Sequence, residues 1–224
     1  MCGRFSFTDN PDPRWLRERF GASLTAGELP GPRWNIAPTD PLITVGAGDD
    51  GSRAVQVLGW GLWGRRPPLI NVRSETALQR RSFRALLERV QTRVLIPADG
   101  FYEWLRSERP GGARLPVRFS VDAGRVFAFA GVRCGEGCAM FTTAANGVVG
   151  PAHKRMPVIL ERHEEAGWLD PGVDVRAAFE MLDALPDGSM NAHRASRRVN
   201  DVRADGPDLW NADGDEMGSE LSLF

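Results

Sequence analysis

The sequence predicts an α+β fold, a single domain whose largely antiparallel sheet curls into a barrel-like core flanked by short helices. Three observations carry this. Short β-rich runs outnumber helical stretches. Few helical stretches fall between consecutive runs, so there is little room for the crossovers that parallel strands need. The 224 residues, 42% hydrophobic and 25% charged, suffice for one sizeable core.

In chain order, PDPRWLRERFG reads as a short helix with Asp12 as its N-cap, Pro13 at the first helical position and Gly21 past its end. PLITVGA and RAVQVLGW flank DDGS and predict a hairpin. Between Glu75 and Val90, the apolar residues Phe83, Leu86, Leu87 and Val90 fall at helical spacing, with arginines on the other face. RVLIPA, GFYEWL, LPVRFSV, RVFAFAGV, CAMFTTAA and PVIL read as strands, followed by helices around HEEAGWL and VDVRAAFEML and a last strand near SRRVNDV. No internal repeat is present. Residues 1–210 form the expected domain, and the acidic, small-residue stretch 211–224 is an expected flexible tail.

Composition narrows the function classes. No apolar run reaches the length of a membrane span, and the N-terminus lacks the basic-then-apolar layout of a signal peptide. Three cysteines without a disulfide framework point to a reducing compartment, the cytoplasm. Net charge is −1, yet seven acids against Arg203 alone lie from Asp201 onward, which leaves residues 1–200 at +5. Between Gly61 and Arg118 stand twelve arginines and five acids, either a solvated helical face or an anion-binding surface with guanidinium forks suited to phosphate. Lys154 is the sole lysine. An imine needs an unprotonated amine, and an α-amine with a reference pKa of about 7.7–8.0 supplies far more of it at neutral pH than lysine at about 10.4.

Candidate chemistry begins at MCGRF. Initiator methionine is commonly trimmed before a small residue, which would leave Cys2 with an α-amine and a thiol on adjacent carbons. That pair condenses with aldehydes or attacks amides; an incidental cysteine at a strand start is the plainer alternative. Glu103 stands among Phe101, Tyr102 and Trp104, an aromatic setting that raises a carboxyl pKa and suits a general acid or base. Strand alternation would instead turn Glu103 to solvent, with Tyr102 and Trp104 inward. His153 leads a basic tripeptide with Lys154 and Arg155 in a Gly-Pro-flanked loop. Asn71 and Arg73, two apart, share one face of an extended segment and could hold a sugar hydroxyl and a phosphate, or be a turn Asn and a solvated Arg. Cys134 and Cys138 flank a hairpin tip without a second ligand pair at zinc spacing, so no metal site is expected. WGLWG and RWNIAP supply aromatics for base stacking or for the core.

MCGRF, RWNIAP, LGWGLWG, PLINVRSET, PADGFYEW, FTTAAN and HKRMPVIL occur in this order, and the set resembles the SOS-response-associated peptidase (SRAP) family of abasic-site processing proteins, from Cys2 to about Val202. The resemblance implies a protein that cross-links to abasic sites in single-stranded DNA, closing a thiazolidine between the terminal cysteine and the opened sugar, with lyase-like and autoproteolytic character. It implies Cys2 as nucleophile and Asn71, Glu103 and His153 as active-site partners. Arg4, Arg73, Arg81 and Arg155 match phosphate-contacting positions, and Pro38 and Trp63 match positions near the flanking bases. A monomer without cofactor, whose partner is single-stranded DNA and to which replication or repair proteins could be added, completes the expectation. Two departures stand out: Gly64 follows Trp63 where the family often has a second tryptophan, and His193-Arg194-Ala195-Ser196 replaces a His-Pro-Val-Ser pattern. A class II glutamine amidotransferase also begins Met-Cys-Gly, but it usually continues with an aliphatic residue where Arg4 stands and carries an Arg-Gly-Pro motif that is missing here. A non-covalent single-strand binder with an incidental Cys2 is the remaining alternative.

Overall fold

The computed structural model describes residues 2–9, 12–25, 27–48, 50–62, 64, 67–106 and 112–212. Trp63 and most of the acidic tail lie outside them.

The first half of the chain holds β1 (Phe5–Phe7), α1 (Pro13–Phe20), β2 (Ala22–Leu24), β3 (Arg33–Ile36), β4 (Pro41–Ala47), β5 (Arg53–Trp60), β6 (Asn71–Arg73), α2 (Ser74–Ala77) and α3 (Arg81–Leu87). The second half holds β7 (Arg93–Ala98), β8 (Gly100–Leu105), β9 (Leu115–Val121), β10 (Phe127–Cys134), β11 (Gly137–Ala144), β12 (Arg155–Pro157), β13 (Ile159–Leu160), α4 (Arg162–Trp168), α5 (Val175–Glu180) and β14 (Met190–Arg194).

The strands make two sheets. One runs β14-β9-β8-β1-β3, and the other runs β12-β11-β10-β7-β4-β5-β2, with β13 on β10 and β6 on β11. Pairing is largely antiparallel, and the expected curl is present. β5 also pairs with β11 through Gly59 opposite Gly137 and Trp60 opposite Cys138, which joins two distant strands of the second sheet and bends it back on itself. Phe5 lies between the sheets, edge-on to Trp60 at 5.1 Å and to Phe129 at 5.6 Å, so the N-terminal strand is part of the core. No helix among the described residues is long and apolar enough to cross a membrane.

Local signals act where they were read. Asp12 accepts a hydrogen bond from the Trp15 N–H at 2.7 Å, and Gly21 takes the left-handed conformation at φ 65° that ends α1. β4 and β5 pair antiparallel from Pro41 opposite Gly59 to Ala47 opposite Arg53.

Two elements differ from expectation. The helix expected over 75–90 is broken into α2, α3 and a short 3₁₀ turn at Val90–Thr92. α2 buries Ser74 and Ala77 against β6 and β11, whereas α3 buries Phe83 and Leu87 against β10, and one straight helix cannot reach both. The last strand is Met190–Arg194, not SRRVNDV. It forms because the free edge of β9 offers backbone partners from Val117 to Val121, a demand that its own weakly patterned residues do not announce. The SRRVN stretch turns instead, with the Ser196 hydroxyl accepting from the Arg198 N–H at 3.2 Å.

β1 is pinned to β8 at Gly100. A methyl group there would sit 2.6 Å from Arg118 Nε. Arg118 cannot withdraw, because it is buried, ion-paired with Asp99 at 3.3 Å and stacked 4.0 Å over Trp210. Gly100→Ala is therefore expected to destabilise the fold by about 1–3 kcal/mol in urea unfolding, the usual cost of overpacking.

Candidate active site

The site is assembled around the N-terminal segment. β1 lies between β3 and β8, with Phe5 opposite Ile36 on one side and Phe101 on the other. The Arg4 carbonyl accepts from the Tyr102 N–H at 2.9 Å, which carries the β1–β8 register past the strand's end and brings Gly3 and Cys2 alongside Glu103 and Trp104. Farther back, Asp99 secures β1 from its other end by accepting from the Ser6 hydroxyl at 2.5 Å and the Thr8 hydroxyl at 2.7 Å.

Cys2 is fully buried, and its thiol donates weakly to the Arg4 carbonyl at 3.5 Å. Burial pushes the thiol pKa up, and the nearby Glu103 carboxylate pushes it further in the same direction. The neutral thiol is thus the resting form. Asn71, at the start of β6, donates from Nδ2 to the Cys2 carbonyl at 2.7 Å. Its Oδ1 is buried with no hydrogen-bond partner among the described residues, an acceptor available for an amine or hydroxyl.

Glu103 is 4% exposed, so the alternative that strand alternation turns it to solvent is excluded. Trp104 is only half-buried and faces the same cleft. Burial raises the Glu103 pKa, against a smaller opposing pull from His153. This places a carboxyl that takes up protons readily beside a neutral thiol and an imidazole.

His153 comes from the loop between β11 and β12, which is held rigidly for so long a connection. Asn146 accepts from the Val149 N–H at 3.0 Å and donates to the Leu185 carbonyl at 2.8 Å, while the His153 N–H donates to the Val149 carbonyl at 3.0 Å. His153 Nδ1 accepts from the Arg155 main-chain N–H at 3.0 Å.

These residues border a cleft of about 1110 Å³ lined by Gly3, Arg4, Pro38, Arg73, Glu103, Trp104, Arg106, Arg114, His153, Lys154, Arg155 and the Gly150–Ala152 turn. Pro38 projects from a tight turn in which the Asp40 carboxylate accepts from the Ala37 N–H at 3.0 Å and Thr39 adopts φ 80°. Of the residues singled out in the sequence, Arg4, Pro38, Arg73, Glu103, His153 and Arg155 line this cleft, and Cys2 and Asn71 lie just beneath it. Arg81 is exposed at the start of α3 and does not line it.

The expected anion surface is sorted by the fold. Arg93 and Arg118 are buried and serve structure, Arg93 through the Leu87 carbonyl at 3.1 Å and the Val173 carbonyl at 3.0 Å. Arg84 pairs with Glu88 on the surface of α3. Arg73, Arg106 and Arg114 face the cleft. Arg106 and Arg114 were not distinguishable in the sequence from their neighbours; the only signal was the arginine excess itself, and pairing of β8 with β9 brings the two to one wall. Arg4 is largely built in, donating to Asn35 Oδ1 at 2.8 Å and to the Val199 carbonyl.

The sequence model of the family described as "SOS response associated peptidase (SRAP)" matches residues 1–202. The chain is 32% identical to abasic site processing protein YoqW of Bacillus subtilis, covering 93% of this chain and 98% of that protein. It is 26% identical to abasic site processing protein YedK of Escherichia coli, again over 93% and 98%. Among solved structures, a protein from Bacteroides thetaiotaomicron shares the fold at a TM-score of 0.79 and 20% identity, over 95% of this chain and all of that one. A phage-related protein from Bordetella bronchiseptica aligns at a TM-score of 0.71 and 27% identity, over 88% and 95%. With a family match over nearly the whole length and the same architecture in solved relatives, the chain belongs to the SOS response associated peptidase family.

Proposed function

We propose that this protein captures abasic sites in single-stranded DNA by covalent attachment through Cys2. The observation that carries the reading is the placement of Cys2 directly beneath a cleft walled by Glu103 and His153 and bordered by Arg73, Arg106, Arg114 and Lys154. Relatives named for abasic-site processing support it. So many cations around one acidic group suit a phosphodiester backbone far better than a glutamine side chain, which disfavours the amidotransferase alternative.

Loss of Met1 turns the Cys2 nitrogen into a free α-amine. The amine adds to the aldehyde carbon of the opened sugar, and loss of water leaves an imine. The thiol sulfur then adds to the imine carbon and its proton ends on nitrogen, closing a five-membered ring. Asn71, through its hold on the Cys2 carbonyl, orients the amine. Glu103 moves protons for carbinolamine dehydration and thiol addition, and His153 assists sugar opening. Run backward, with water added to the imine, the same transfers release the DNA with its abasic sugar intact. The lyase-like step is separate: from the imine, Glu103 or His153 takes a proton from the adjacent sugar carbon C2′ and the 3′ phosphate departs. For the peptidase-like step, water adds to the Met1 carbonyl and the Cys2 nitrogen leaves protonated, with the same two groups moving the protons.

Intact-mass measurement tests the reading. Protein mixed with an oligonucleotide carrying one abasic site is expected to shift by the mass of the DNA less one water, and digestion is expected to place the adduct on a peptide that begins at Cys2. Absence of any adduct on a chain that begins at Cys2 would overturn it.

The cations make a separate prediction. Each phosphate contact to a single strand contributes about −0.7 to the slope of log affinity against log salt. Arg73→Ala is expected to flatten that slope by roughly one contact, equally for pyrimidine and mixed sequences, because phosphates carry no base identity. An unchanged slope would mean that Arg73 is merely solvated.

A further inference from the structure

Arg155 faces the cleft, but its guanidinium is already engaged from within the chain. Nη1 and Nη2 form a bidentate pair with Glu75 Oε1 and Oε2 at 2.8 and 2.9 Å. Nε donates to the Thr142 hydroxyl at 3.3 Å, and Nη2 also donates to the Thr142 carbonyl. A guanidinium has five N–H donors, and this arrangement leaves only the second hydrogen on Nη1 for a ligand. An arginine so committed is a weak phosphate fork and a strong structural brace.

The brace has a defined span. Glu75 belongs to α2, which directly follows β6, the strand that starts at Asn71. Arg155 opens β12, two residues after His153. β6 and β12 lie on opposite sides of β11, where Thr142 pairs with Arg73 on one side and with Pro157 on the other. The Glu75–Arg155 pair therefore ties the strand that holds the Cys2 carbonyl to the segment that carries His153, across the strand between them. The Glu75 carboxyl is held below the usual range, chiefly by its hydrogen bonds to Arg155, so the pair stays charged through neutral pH.

Arg155 also cradles the imidazole. Its main-chain N–H reaches His153 Nδ1 at 3.0 Å, and its own carbonyl lies 3.0 Å from the same nitrogen. The N–H needs Nδ1 as an acceptor, with the ring proton on Nε2, whereas the carbonyl needs Nδ1–H, so the position of the Arg155 main chain sets which tautomer the ring adopts. One main-chain unit thus touches Nδ1 with both its donor and its acceptor.

We propose that Glu75 is a positioning residue for proton transfer, clamping Arg155 across β11 so that the Arg155 main chain holds His153 in one tautomer and one place. The catalytic half of this proposal rests on the function proposed above; the structural half does not.

The test reads both halves. The protein has three histidines, so ¹⁵N-histidine labelling gives a tractable imidazole spectrum, assigned with His153→Gln. In the wild type, neutral His153 is expected to show a single tautomer. In Glu75→Gln and Glu75→Ala, its two nitrogens are expected to move toward averaged shifts. Glu75 is 47% exposed at its side chain, so these variants are expected to fold, and thermal melts check this. Single-turnover adduct formation on an abasic oligonucleotide is expected to slow about tenfold, the scale for modest misplacement of a reacting group. Affinity for an intact single strand is not expected to weaken, because Arg155 regains its fork. Glu75→Gln added to Arg155→Met is expected to cost nothing further. An unchanged His153 tautomer in both Glu75 variants would overturn the proposal, as would a shifted tautomer with a wild-type rate. A wild type that forms no adduct would overturn the proposed function alone, since the tautomer is read without DNA.

Discussion

Cys2→Ala is expected to abolish the heat-stable adduct with abasic single-stranded DNA while leaving an imine that borohydride traps. Removal of Met1 from the variant still exposes an α-amine, now on alanine, and that amine condenses with the sugar aldehyde as before. What the variant lacks is the sulfur that closes the ring. An open imine hydrolyses, whereas the thiazolidine ties up both the carbon and the nitrogen. The expected gel therefore shows no band after heating without borohydride, a clear band with it, and a band under both conditions for the wild type. The buried position of Cys2 sharpens the expectation, because the thiol rests in its neutral form and reacts only when its proton is removed in the step. An equally stable adduct from Cys2→Ala would sink the thiazolidine mechanism and return Cys2 to the role of a core residue.

Glu103→Gln is expected to slow adduct formation and its reversal by about 10²–10⁴, the usual cost of losing a general acid–base, with DNA affinity nearly intact. Rapid-quench single turnovers measure the first, and competition with excess oligonucleotide measures the second. The wild-type rate is also expected to carry an acidic limb at higher pH than an ordinary carboxyl would give, because burial raises the Glu103 pKa, and that limb should vanish in the variant. Matching rates would leave Glu103 a structural residue.

The same shift has a consequence for stability. An unfolded-chain glutamate titrates at about 4.3, and burial raises Glu103 above its ordinary value in the native chain. Between those two values the native state holds more protons than the unfolded state, so stability falls as pH rises through that window, and the penalty is complete above the native value. Each tenfold difference in proton affinity is worth about 1.4 kcal/mol. Glu103→Gln removes that penalty and is expected to raise the melting temperature at neutral pH while slowing the reaction. A residue that the fold would be better without, and that a cleft retains, fits a functional role. If the variant melts lower at neutral pH, Glu103 contributes to the fold through contacts that outweigh its desolvation.

How much of this was readable before folding varies with the range of the interaction. α1 was readable to the residue, because Asp12, Pro13 and Gly21 act on their own neighbours within one turn. The hairpin of β4 and β5 was readable for the same reason. By contrast, the segment 75–90 has helical spacing throughout, and nothing local says that Ala77 and Phe83 must reach different strands. β14 was missed because the requirement for a strand belongs to the open edge of β9, not to Met190–Arg194.

The active site divides along the same line. The ordered motifs determined by themselves which family the chain belongs to and which residue types carry the chemistry: an N-terminal aminothiol, a carboxyl among aromatics, a lone-loop histidine and an excess of arginine. Only the tertiary structure decided that the β1–β8 register brings Gly3 and Cys2 alongside Glu103 and Trp104, near enough for the Glu103 charge to act on the thiol. It alone showed that Asn71 holds Cys2 across 69 positions of sequence, and that Arg155 is braced by Glu75 across 80. It alone separated the arginines that face the cleft from Arg93 and Arg118, which are spent on carbonyls and a buried carboxylate. The physical reason is common to all three. Caps, turns and periodicity are set by neighbours in the chain, whereas burial, pKa and the partner of a guanidinium are set by strands that meet only when the sheet has formed.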